Sequence, residues 1–170
     1  MSISVGVSGT NKTATPSVGV GGAWKAVAAG WVGVGGAWKE FYRAINAAIS
    51  NASAYTFVSS PSEATAQYLL NSDGRAQKVE NSSTSDISGE WLVAGANSDF
   101  EVYATVDSGT LTSGPTGSWV SLSTSRVWTL TRGTVGLSSV DLTIEIRRAS
   151  DAVVVDSATI TLTAEVDSGA

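Results

Sequence analysis

A chain of 170 residues has room for one ordinary domain of about 100–150 residues and an appendage, but not for two full-sized cores. Only 15% of its residues are charged, against roughly 25% in average globular proteins, and Ser, Thr, Gly, Ala and Val are plentiful, which is the palette of short strands and tight turns. Cysteine and histidine are both absent, which excludes disulfides, thiolate metal sites, His-dependent triads and imidazole general bases.

The chain opens on Met1-Ser2-Ile3-Ser4, without the basic start of a signal peptide. No run of about 18 apolar residues follows, so no membrane insertion is expected. Val18-Gly19-Val20-Gly21-Gly22-Ala23-Trp24-Lys25 then recurs letter for letter as Val32-Gly33-Val34-Gly35-Gly36-Ala37-Trp38-Lys39. A degenerate copy, Val5-Gly6-Val7-Ser8-Gly9-Thr10-Asn11-Lys12, precedes both. Each copy reads as a β-hairpin: valines alternate up to a Gly-Gly or Ser-Gly pair, and glycine supplies the positive φ of a two-residue turn without steric cost. Gly21, Gly22, Gly35 and Gly36 are therefore the expected turn formers. Trp24 and Trp38 take matching places on the returning strands, where they can cover bare glycine backbone. A phosphate-binding G-x-G-x-x-G loop is excluded, because its third glycine position holds Trp24 in one copy and Trp38 in the other.

Isolated hairpins of small residues bury little area and are marginal in water, so something else must cover these. The candidates are stacking along the chain, association of identical chains, or docking on a larger partner. Trp24, Lys25, Trp38, Lys39 and Phe41 are the expected interface and anchoring residues. Residues 1–43 thus form the repeat segment, and 44–62 form a short helix or linker. Phe41, Ile45, Ala48 and Ile49 match i, i+4, i+7 and i+8, as on an amphipathic helix.

Residues 63–170 read as a β-sandwich, with strand patterns alternating with turn signals. Ala66–Leu70 and Arg75–Val79 flank Asn71-Ser72-Asp73-Gly74, in which Asp73-Gly74 is a strong hairpin turn. Phe100, Val102, Ala104 and Val106 alternate with polar residues. So do Val140, Leu142, Ile144 and Ile146, and again Ala158, Ile160, Leu162, Ala164 and Val166. Trp91, Trp119 and Trp128 supply bulk that the small side chains lack. The fold expected is all-β: an N-terminal β-hairpin repeat array followed by an Ig-like antiparallel β-sandwich.

Charge divides along the same line. Residues 1–50 carry net +3, whereas 57–170 hold six basic against fourteen acidic side chains, net −8. A broad acidic surface repels phosphate backbones, so no nucleic-acid partner is expected. Among the carboxylates, Asp151 and Asp156 flank a valine strand, while Glu145 and Glu165 lie on outward strand faces. A retaining glycosidase needs two carboxyls about 5–5.5 Å apart in a cleft, and nothing local builds one. Asn71-Ser72-Asp73 lacks the glutamate that a calcium loop would require. No catalytic residue, metal or cofactor is expected.

The Val-Gly-Val-Gly-Gly-Ala-Trp-Lys repeats resemble the hairpin repeats of tailed-phage tail-associated proteins. Gly117-Ser118-Trp119, Ser125 to Thr131, Leu142 to Arg147 and Asp156 to Ala164 are similar to an Ig-like module of the same class. This resemblance implies a structural protein of the virion, assembled in the host cytoplasm and associated with tail, fibre or baseplate. Its implied partners are other virion proteins and further copies of itself, a trimer being one candidate. A host-surface receptor or glycan is a further implied partner. Host-surface adhesion and capsid decoration are the alternative roles.

Overall fold

The exact repeat dictates the same local pairing twice. The computed structural model describes residues 3–7, 10–14, 17–20, 22–26, 29–43, 45–59 and 62–169. Strands β1 (Ile3–Val7) and β2 (Thr10–Ala14), β3 (Ser17–Val20) and β4 (Ala23–Ala26), and β5 (Ala29–Val34) and β6 (Ala37–Arg43) form three antiparallel pairs. All three share one register: Val5 stands opposite Lys12, Val18 opposite Lys25 and Val32 opposite Lys39. Gly35 and Gly36, at φ +61° and +79°, make the mirror-image turn whose twist suits a hairpin, and Gly22 has φ +81°. Gly21 lies outside the described residues. Trp24 sits opposite Gly19 and Trp38 opposite Gly33, while the side chains of Trp24, Lys25, Trp38, Lys39 and Phe41 lie outside the described residues.

A second compact unit begins at Asn46. It contains β7 (Asn46–Ala47), β8 (Ala52–Ser59), β9 (Ala64–Leu70), β10 (Arg75–Glu80), β11 (Ser83–Glu90) and β12 (Leu92–Ala94). A 3-10 turn at Asn97–Asp99 leads into β13 (Phe100–Ser108), β14 (Val120–Ser121), β15 (Arg126–Arg132), β16 (Gly136–Arg148) and β17 (Val154–Asp167). The strands assemble as β11-β10-β9-β15 in one sheet and β14-β13-β16-β17-β8 in another, with β7 and β12 as a small separate pair. The two larger sheets face one another through β8, β9, β10, β15 and β17.

Two expectations change here. The segment 44–62, read as helix or linker, carries strands β7 and β8. Its burial alternates, with Ala47 and Ile49 inside and Asn46, Ala48 and Ser50 outside, so period two prevails over the helical spacing of Phe41, Ile45, Ala48 and Ile49. The second unit is also not wholly antiparallel. β8 runs parallel to β17, from Ala52 opposite Ile160 to Ser59 opposite Asp167.

The core follows the alternation of the strands. Phe100, Val102 and Ala104 of β13 meet Val140, Leu142, Ile144 and Ile146 of β16, and Ile160, Leu162, Ala164 and Val166 of β17. Two tryptophans supply the bulk, each with its indole N–H satisfied. Trp91 is fully buried, meets Phe100 edge-on at 5.9 Å and donates to the Asn71 carbonyl at 2.9 Å. Trp128 is equally buried, packs against Tyr68 at 5.9 Å and donates to the Pro115 carbonyl at 2.9 Å. Burial without a hydrogen-bond partner drives the Tyr68 phenol above its ordinary pKa. Trp119, expected in the core with Trp128, is only half-buried and lies on the outer face of the five-stranded sheet.

The Asn71-Ser72-Asp73-Gly74 turn joins β9 to β10 and serves as the seat of Trp91. The Gly74 carbonyl accepts the amides of Trp91 at 2.7 Å and Leu92 at 3.2 Å. Gly74 has φ +87°, and a Cβ added there would stand 2.9 Å from the Leu92 Cβ. Gly117, at φ +71°, would meet nothing within 4 Å. Gly74→Ala should therefore lower the unfolding free energy by about 2–3 kcal/mol, and Gly117→Ala by about 1 kcal/mol. Urea denaturation followed by tryptophan fluorescence measures both. Equal losses would show that Leu92 yields freely and that only backbone strain counts.

Candidate functional site

Period-two alternation gives the five-stranded sheet a second face, turned away from the core. Register lines up its outward residues in rows that cross the strands. Tyr103 stands beside Glu145 and Ser157, and Thr105 beside Thr143 and Thr159. Asp141 stands beside Thr161 and Ser53, Ser139 beside Thr163 and Tyr55, and Leu137 beside Glu165 and Phe57. The face is thus rich in hydroxyls and carboxylates, with aromatic groups at two opposite corners.

At one corner, Trp119 reaches over the sheet from the loop before β14. Its ring lies 5.4 Å from Tyr103, and the Arg147 guanidinium sits 4.1 Å from its centroid, a cation–π contact. Glu101 fixes that guanidinium with two contacts of 2.7 Å. Arg147 is the one cation among the described outward residues of β8, β13, β16 and β17, and it is already paired.

In the middle, hydroxyls are tied to acids. Asp107 accepts from Thr143 at 2.7 Å, and Asp141 accepts from Thr161 and from Ser108, each at 2.7 Å. The two hydroxyls hold the Asp141 carboxyl below its ordinary pKa range, against slight desolvation.

At the opposite corner, Tyr55 and Phe57 project from β8 and Leu137 from β16; they are 43%, 39% and 58% exposed. The Tyr55 hydroxyl donates to Glu165 between them. That hydrogen bond, then desolvation and the carboxylate's charge, raise the phenol above its usual pKa.

β8 is held at this corner by an edge device. Its outward-facing backbone is capped by side chains rather than by another strand: Glu80 accepts the Tyr55 N–H at 2.8 Å, Asn81 accepts the Phe57 N–H at 3.0 Å, and Lys78 donates to the Ser53 carbonyl at 3.2 Å. Thr56, the buried residue between the two aromatics, donates to the Thr65 carbonyl at 2.9 Å and accepts the Asn81 N–H at 3.1 Å. Asn81 and Ser82 hold φ +48° and +66°, so a second mirror-image turn brings Asn81 to this edge.

The acids weighed from sequence as catalytic candidates each have their own neighbour. Asp151 is clamped by Arg148 at 2.8 Å, which lowers its carboxyl pKa despite slight desolvation. Asp156 accepts the Ile49 N–H at 2.8 Å. Glu165 belongs to the Tyr55 corner, and Glu145 stands in register with Tyr103. Of the turn residues, Asp73 accepts the Arg75 N–H at 3.3 Å and Gly74 seats Trp91. Sequence reasoning missed Tyr55, Phe57 and Leu137 as surface residues because the first two lay in the assumed linker. The β-propensity of Tyr55, Thr56, Phe57 and Val58 was the one hint of a strand, with a hydrophobic alternation inverted relative to its burial.

Comparison with protein-family models, with curated proteins and with solved structures finds no match to this chain.

The edge device makes a pH prediction. Against partial desolvation, which raises it, the Tyr55 N–H and Lys78 hold the Glu80 carboxyl below its ordinary value. A depressed carboxyl contributes stability that is present above the unfolded pKa of about 4.3 and is lost as pH falls through the folded value. The urea midpoint should therefore fall as pH drops from about 5 to 3, and Glu80→Gln should fall less over that interval. Identical slopes for the two proteins would remove Glu80 from the account. Asn81→Gly keeps the turn, loses the Phe57 cap and should cost about 1 kcal/mol.

Proposed function

We propose that the chain is a non-enzymatic structural component of a tailed-phage virion, associated with tail, fibre or baseplate. Residues 1–43 anchor or oligomerise it as a hairpin repeat array, and the second unit is an Ig-like module turned outward. The observation that carries this reading is the thrice-repeated hairpin register. Each described strand of this segment hydrogen-bonds within its own pair. Two-stranded ribbons of small residues need outside cover to be stable. Val18, Val20 and Val34 stand about half exposed on them; all three repeats bring a lysine to the same position, and the two exact ones bring Trp24 and Trp38 beside it, where the first has Asn11. Such a segment gains its stability on assembly, either with further copies of this chain or with other virion proteins.

The Ig-like assignment draws on strand order. β13, β16 and β17 neighbour one another as strands C, F and G do in that fold, and β9 and β15 as strands B and E do. β10 and β11, on the far side of β9, extend that plan.

Gold labelling of this protein on purified particles, viewed by electron microscopy, tests the reading. Label at the tail or its fibres is expected; label over the shell would make it a decoration protein, and particles without label would overturn the virion assignment. A buried interface tryptophan is commonly worth about 2 kcal/mol or more. Trp24→Ala with Trp38→Ala should accordingly lower incorporation by about tenfold or more, while leaving the urea transition of the second unit in place. Wild-type incorporation of that double variant would exclude the tryptophans as anchors.

A further inference from the structure

We propose that the outer face of the five-stranded sheet binds an uncharged pyranose chain, with Tyr55 and Phe57 as the stacking shelf and Glu165 as the acceptor for sugar hydroxyls. The inference rests on the reading of the second unit as an outward module, and it gives that module a ligand class.

Three features converge on a sugar. The first is the shelf itself. Tyr55 and Phe57 are two residues apart on one strand, about 7 Å along it, and both are exposed on the same face. Leu137 continues the row two strands away, across Glu165. A pyranose ring presents apolar C–H faces that suit flat aromatic groups, and Tyr and Phe offer large contact area at small entropic cost.

The second feature is the polar centre. The Glu165 carboxylate, oriented by the Tyr55 hydroxyl, keeps acceptor capacity beyond that bond, because an ionised carboxylate has about four lone-pair sites. Thr163 and Ser139, joined to each other at 3.3 Å, lie in the adjoining row as further partners. Apolar surface with a few convergent polar groups is how small polar ligands are oriented. A protein interface core, in contrast, is depleted in Glu, Asp and Ser, and three exposed apolar side chains split by a carboxylate make a poor one.

The third feature is charge. The outward positions carry Glu101, Asp107, Asp141, Glu145, Glu165 and Asp167 against Arg147 alone, which Glu101 already holds. Such a face repels phosphate and uronate polymers but leaves acceptors for the hydroxyl donors of a neutral chain.

Native gel electrophoresis of the full chain through dissolved polysaccharide tests this directly. The probes are dextran, galactomannan and xyloglucan as neutral polymers, with alginate as the anionic control. Retardation by at least one neutral polymer and none by alginate is expected. Tyr55→Ala with Phe57→Ala should raise the polymer concentration for half-retardation by about tenfold. Glu165→Gln, which keeps the shelf, should raise it less, and urea midpoints confirm that both variants fold. No retardation by any neutral polymer, equal retardation of the double variant, or stronger retardation by alginate would each overturn the proposal. Gold label on particles without retardation sinks the sugar site alone, whereas retardation without label sinks the virion assignment and spares the site.

Discussion

The parallel pairing of β8 with β17 is the constraint on which the second unit depends. It joins the first long strand of the unit to its last, so residues 52–59 and 160–167 are brought together across a separation of 108 residues. Parallel neighbours cannot be linked by a tight turn, so the pairing is made only after the rest of the sheet supplies a place for it. Because it is made, Tyr55 and Phe57 stand on the same face as Glu165 and Leu137. Thr56 and Ala54 turn inward at the same time and close the core. Loop-closure entropy must be met before such a contact contributes, so the β8 corner should be among the last parts of the fold to form.

An edge strand at the end of a sheet exposes unpaired amides, and this molecule treats its edges differently. β8 is capped by Glu80, Asn81 and Lys78 from the facing sheet. β15 is bridged by loop residues: Thr129 exchanges backbone bonds with Ser113, and the Thr131 amide reaches the Thr112 hydroxyl at 2.8 Å. β11 is left to its composition, with polar Ser83, Thr84, Ser85 and Asp86 along it and Asp86 engaged by Arg75 and Gln77. Side chains that cap an edge deny it to other chains, which accords with the proposal that assembly runs through the N-terminal hairpins.

How much of this was legible in the sequence varied with the range of the interaction. Local signals carried far: the Gly35-Gly36 turn, the Asn71–Gly74 turn and the long alternating runs of β16 and β17 all appear where spacing put them. β8 was not legible, because its inward residues Ala54, Thr56 and Val58 are small or polar and its outward ones are aromatic. Such a strand inverts the hydrophobic pattern and becomes a strand only through β17. The helical spacing of Phe41, Ile45, Ala48 and Ile49 failed for the same reason, since Ala47 and Ile49 are buried by tertiary contacts at period two. Trp119 was misplaced because composition cannot tell an indole that fills a core from one that lies over Tyr103 and Arg147.

The outward aromatic groups of β8 are the stronger clue for that reason. A strand built only to complete the core would gain from small polar residues outside, as β17 has with Thr159, Thr161 and Thr163. Exposed Tyr55 and Phe57 add nothing to the core and add apolar surface beside a sheet edge, which the capping by Glu80 and Asn81 must then protect. Their amides are held by two adjacent residues, Glu80 for Tyr55 and Asn81 for Phe57, which ties the two features together. The same turn that fixes Asn81 at φ +48° holds the Phe57 backbone in place. The shelf is thereby set on a rigid element, and a rigid shelf loses little entropy when a ligand arrives.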